Sequence, residues 1–109
     1  MLIVDLARVL DESNFGKAAA KMLKAQFEAA RKKRRTIKES DYAAFDREAT
    51  IAIEKERARF RQELLQKAQP IIVQIQKSRG ADCVLHADAL LSYSPAVDIT
   101  DEVLRLLDA

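Results

Sequence analysis

Only two glycines occur in the 109 residues, Gly16 and Gly80. The stretch between them has no glycine to break it, and its apolar side chains recur mostly at steps of three and four, the spacing of one face of a helix. Phe15, Ala19, Met22, Leu23, Phe27 and Ala30 form one such stripe, which predicts a first long helix from about Asn14 to Arg35. Thr36-Ile37-Lys38-Glu39 has the spacing of a capping box, with Ser40 and Asp41 as alternative caps, so a short break is expected near residues 36–40. Beyond it Tyr42, Phe45, Ala49, Ala52, Ile53, Phe60, Leu64, Ala68, Ile71, Ile72 and Ile75 continue the helical step. They predict a second helix of roughly 39 residues, about 58 Å long. Pro70 inside it should kink the helix or mark where it meets other structure, and Gly80 suits the position just past its end. Two helices joined so tightly fold back as an antiparallel hairpin. Many of the seam positions are alanine, which contributes little apolar area, so the hairpin should be weakly held.

The flanks have a different texture. Leu2-Ile3-Val4 reads as a short strand, Asp5 as a cap for the short helix Leu6-Ala7-Arg8-Val9-Leu10, and Asp11-Glu12-Ser13-Asn14 as a turn with N-cap oxygens before Gly16 lets the backbone bend. After Gly80, residues 82–86 and 89–93 read as two strands split by Ala87-Asp88. Ser94-Pro95 makes a turn, and Thr100 is the expected N-cap of a last helix whose apolar residues are Val103, Leu104, Leu106 and Leu107. The fold class is therefore α+β, in one domain: a base from residues 1–13 and 80–109 carrying a long antiparallel helical arm from residues 14–79.

Charge is partitioned along these lines. From Gly16 to Arg79 there are 17 Lys and Arg against 8 Asp and Glu, a net of +9, whereas the flanks carry Arg8 and Arg105 against 9 acids, a net of −7. The arm is thus suited to an acidic or polyanionic partner. Arg31-Lys32-Lys33-Arg34-Arg35 is its densest cluster, a candidate contact for phosphates, acidic lipid headgroups or an acidic client, and equally a solvated helix end whose cations complement the helix dipole. Nucleic acid is disfavoured, because six aromatic residues offer little stacking surface and no groove-reading motif is present. Met22, Phe27, Tyr42 and Phe45, with Phe15 and Phe60, suit either the helical seam or adaptable contacts to an unfolded chain. His86 and Cys83 stand alone, with Cys83 expected to be a packed small hydrophobe and His86 to lie at the surface or an interface of the base. No metal site, cofactor site or catalytic constellation can be assembled from them, and no enzyme activity is expected. No apolar run is long enough to span a bilayer, and the one after Met1 is too short for a signal peptide.

The opening Ile3-Val4-Asp5-Leu6-Ala7-Arg8-Val9-Leu10-Asp11-Glu12-Ser13 with Gly16-Lys17-Ala18-Ala19 resembles the Skp/OmpH family. So does the close, from Gln69-Pro70-Ile71 and Ile75-Gln76-Lys77 through Ala81-Asp82-Cys83-Val84-Leu85 and Tyr93-Ser94 to Val97-Asp98-Ile99-Thr100-Asp101-Glu102-Val103-Leu104. The resemblance implies a homotrimer that pools its strands in a central body, an ATP-independent holdase chaperone for unfolded outer-membrane or other exported proteins, and a periplasmic location with the export signal already removed. The arm is shorter than the family's. A reach of ~30 Å, from some ~20 residues at 1.5 Å each, favours a smaller client, a partial grip or several trimers per client. Two other readings fit the residues: a scaffolding trimer without chaperone action, and a basic coiled coil that binds nucleic acid.

Overall fold

A computed structural model describes residues 1–109. The chain runs β1 (Leu2–Val4), α1 (Leu6–Glu12), α2 (Asn14–Arg34), a single 3-10 turn at Glu39–Asp41, α3 (Tyr42–Ser78), β2 (Val84–His86), 3-10 turns at Ala87–Ala89 and Pro95–Val97, and α4 (Thr100–Asp108). α2 and α3 pair as the hairpin and dominate the shape, which measures 60 × 30 × 19 Å. α3 ends as the sequence predicts. Gly80 takes φ 63°, the Gly80 N–H donates to the Lys77 carbonyl at 3.2 Å, and the Ala81 N–H donates to the Gln76 carbonyl at 3.0 Å, the paired bonds that close a helix through a left-handed glycine.

The base is organised around β1. It pairs in parallel with β2, Leu2 opposite Val84 and Val4 opposite His86, and on its other edge bridges Ile3 to Asp98. Parallel neighbours require a crossover, and here the crossover is α1 and the whole hairpin. Leu2 and Val4 join Val9, Leu64, Ala68, Ile75, Ile99 and Val103 in one core, so α3 supplies three of its eight buried members. Pro70 lies within the stretch of α3 that serves that core, between Ala68 and Ile75, and the helix continues through it. The acidic ends are tied back by polar contacts. Ser13 Oγ accepts the Gly16 N–H at 3.0 Å, Asp108 accepts the Asn14 N–H at 2.9 Å, and Arg8 bonds both Glu12 and Asp101. The hydrogen bonds to Glu12 and then Asp101 hold the Arg8 pKa above its ordinary value. Arg79 reaches Glu102, joining the end of α3 to α4.

Several expectations need correction. Residues 89–93 form no strand: His86 Nδ1 accepts the Asp88 N–H at 3.1 Å and turns the chain away directly after β2, and the far edge of β1 is already bridged to Asp98. Leu91 is left fully exposed. The Thr36 box opens nothing, since its hydroxyl donates back to the Lys33 carbonyl at 2.7 Å and finishes α2, and neither the 3-10 turn nor α3 has a side-chain cap. Gly16 makes no bend. It is a helical residue inside α2 whose missing side chain admits the Leu10 backbone carbonyl. Cys83 is exposed rather than packed, one residue ahead of β2.

Thr100 is the first residue of α4 and not its cap. Asp98 Oδ1 accepts its N–H at 2.9 Å and its hydroxyl at 2.5 Å, and the same hydroxyl oxygen accepts the Asp5 N–H at 2.9 Å. The corner between β1 and α1 needs an acceptor there, and the fully buried Thr100 provides it. Thr100→Val keeps the shape but strands the Asp5 donor, so a loss of about 2 kcal/mol is expected, read from the urea midpoint. Thr100→Ser should retain most of the stability.

Candidate functional site

The arm's character follows from its thin seam. Along the hairpin only Gly16, Ala19, Ile53 and Phe60 are buried above the core, with Phe15 set edge-on to Phe60 at 6.3 Å between ring centroids. Apolar groups the seam cannot cover remain on its surface: Met22 is 55% exposed and Phe27 43%. Tyr42 and Phe45 lie half-buried at the far end.

The basic cluster divides into one fixed cation and four free ones. Arg34 forms a forked pair with Asp46, at 2.9 and 3.2 Å, and lies 4.0 Å over the Tyr42 ring, so it clasps the end of α2 to the start of α3. The bond to Asp46 raises its pKa above the ordinary arginine value. Arg31, Lys32, Lys33 and Arg35 are exposed and pair with no carboxylate. The tip therefore presents a dense positive field on a fixed support. Phe27, Phe45, Arg31 and Arg34 share one hollow of 220 Å³ with Ile53, which brings together four of the nine residues singled out from the sequence. Lys32, Lys33 and Met22 lie outside it, Arg35 lines a small neighbouring hollow with Arg31, Arg34 and Tyr42, and the cluster is a surface rather than a cavity.

Sequence reasoning missed Arg57, whose guanidinium stands 5.7 Å from the Phe27 ring, and Arg61, Ile51 and Leu65, all exposed. Ile51, Ala58 and Leu65 follow each other at seven-residue steps off the seam, a signal visible in the sequence but masked by the stronger three-four pattern. No three His, Cys, Asp or Glu side chains are grouped to hold a metal, and no helix is long and apolar enough to cross a membrane.

A parallel strand pair at the foot of a long, basic helical hairpin, with apolar groups left uncovered along the arm, defines an arm-on-base architecture built around surface rather than cavity. The chain belongs to the OmpH-like outer membrane protein family, whose model matches residues 35–107. A solved protein of Caulobacter crescentus CB15, described as an OmpH-like outer membrane chaperone, is similar over 98% of this chain and 82% of its own, with a TM-score of 0.58 and 20% identity. That likeness establishes the fold, including the first arm helix that precedes the family match. No curated protein matches the sequence.

Proposed function

We propose that the protein is an ATP-independent holdase that binds unfolded outer-membrane or other exported proteins in the periplasm, acting as a homotrimer. The observation that carries the reading is the arm itself: free cations at its tip and uncovered apolar side chains along a seam too thin to hide them. Charge draws an unfolded acidic chain in from a distance, and methionine and aromatic groups then hold it without demanding one shape. Family membership and the chaperone description of the Caulobacter protein support the same reading. Exposed Leu91, and a base that supplies only five of the eight residues in the buried core cluster, favour association of several copies.

The test is light scattering from an outer-membrane protein diluted out of urea. Wild-type protein should suppress aggregation without nucleotide, and suppression should be absent if the protein is only a scaffold. In the triple variant Lys32→Gln, Lys33→Gln, Arg35→Gln the rate of client capture at low salt should fall on the order of tenfold, with the difference shrinking as salt rises. Equal capture by both proteins at low salt would remove the tip from the mechanism.

A further inference from the structure

We infer that one face of the hairpin is a docking groove for an acidic amphipathic helix of a partner protein. Four hollows, of 290, 370, 370 and 220 Å³, run in succession from the base to the tip, each sharing residues with the next. Leu10 is common to the first and second, Leu23 to the second and third, and Phe27 to the third and fourth, so the floor is continuous and apolar. From Leu65 to Phe45 the groove follows α3 for about 30 Å, the length of a helix of about 20 residues.

The furrow between two packed helices is the natural seat of a third, which presses a stripe of apolar residues between them and places its flanking residues over the two rims. Both rims here are basic. In the middle of the groove α3 contributes Arg57, which also pairs with Glu54, and Arg61, and α2 contributes Lys24 and Arg31 against Glu28, while Asp11 and Asp88 stand near the base and Asp46, paired with Arg34, near the tip. Arg61 and Arg31 have no carboxylate partner. A helix with leucine-type residues on one stripe and glutamates on both sides of it matches this arrangement. A second hairpin of this chain does not, because its own net charge of +9 would set cations against cations. Such a partner engages already helical or on folding, so the groove does not depend on the holdase reading.

The probe is a fluorescein-labelled 20-residue peptide with leucine at the first and fourth positions of each heptad and glutamate at the fifth and seventh. Anisotropy with the full-length protein should show binding, and far-UV circular dichroism a gain of helix in the mixture. Lysine in place of the glutamates, or the leucines scrambled off their stripe, should each raise Kd by at least about tenfold. Ala20 is exposed on the floor shared by the second and third hollows, so Ala20→Trp fills the groove without touching the core and should weaken binding similarly. Arg61→Glu serves as the second variant should Ala20→Trp lose helix content, and Gln74→Ala, at an exposed position of α3 outside the four hollows, should bind as wild type. Equal affinity for the glutamate and lysine peptides overturns the proposal, as does binding without added helix, which points to an extended occupant. A changed solution mass with intact peptide binding in Ala20→Trp also overturns it, by showing that a second copy covers the face. Aggregation suppression measured on the same proteins separates the two ideas: suppression that survives loss of peptide binding leaves the holdase reading standing, and peptide binding without suppression leaves only the groove.

Discussion

Gly16→Ala is expected to destabilise the protein by about 3 kcal/mol and lower Tm by about 15 °C. A Cβ at this position would lie 1.4 Å from the Leu10 carbonyl oxygen, 2.5 Å from its carbon and 3.1 Å from Ser13 Oγ. The first two are backbone atoms, so no rotamer change relieves the overlap and α1 has to move off α2. That movement would pull fully buried Val9 from the core and strain the Ser13 cap on the Gly16 N–H. Alanine is the better helix former by about 1 kcal/mol, which offsets only part of the cost. The control is Ala18→Gly, an exposed site in the same helix, where a loss of about 1 kcal/mol is expected from propensity alone. Urea denaturation of the three proteins decides the matter. A Gly16→Ala protein as stable as wild type would mean that α1 and α2 do not cross at this distance.

Leu64→Ala should cost about 3 kcal/mol, because the side chain is 2% exposed and belongs to the core cluster that also holds Leu2, Val4 and Val103. Its neighbour Leu65 is 46% exposed, and Leu65→Ala is expected to fall within about 0.5 kcal/mol of wild type. Ile53→Ala tests the seam between these extremes. Ile53 is 7% exposed but packs in a two-helix interface that is free to close around the gap, so a loss of about 1 to 1.5 kcal/mol is expected. Amide exchange should show the same gradient, with protection falling along α3 from Ile75 towards Tyr42. Protection that is uniform along α3 would contradict a weakly held arm.

The gradient has a functional consequence. Under the proposed holdase function the arm has to yield before the base does, and burial falls in that direction: Leu64, Ala68 and Ile75 anchor the foot, while the outer half of the hairpin has Ile53, the Arg34 clasp and little else. The tip pair of Arg34 and Asp46 is exposed, so it sets the geometry of the turn more than the stability of the arm.

The hairpin was legible in the sequence because a helix is a local object. Phe15 to Ala30 and Tyr42 to Ile75 carry their periodicity within each segment, Gly80 marks its stop by backbone freedom alone, and a connection of a few residues leaves antiparallel return as the available route. The basic cluster was legible too, since charge needs no partner to be read. What the sequence by itself determined was therefore the arm, its sign of charge and the strand and helix that open the chain. The tertiary structure alone decided which surface of that arm is uncovered, that Arg34 is spent on Asp46 while its neighbours are free, that Gly16 serves a crossing rather than a bend, and that Thr100 closes the corner at Asp5. It also decided that residues 89–93 stay out of the sheet, because the chain turns at His86 and Asp88 directly after β2 and the free edge of β1 went to Asp98. Each of these depends on groups far apart in the chain meeting in space, and no pattern of neighbouring residues records such a meeting.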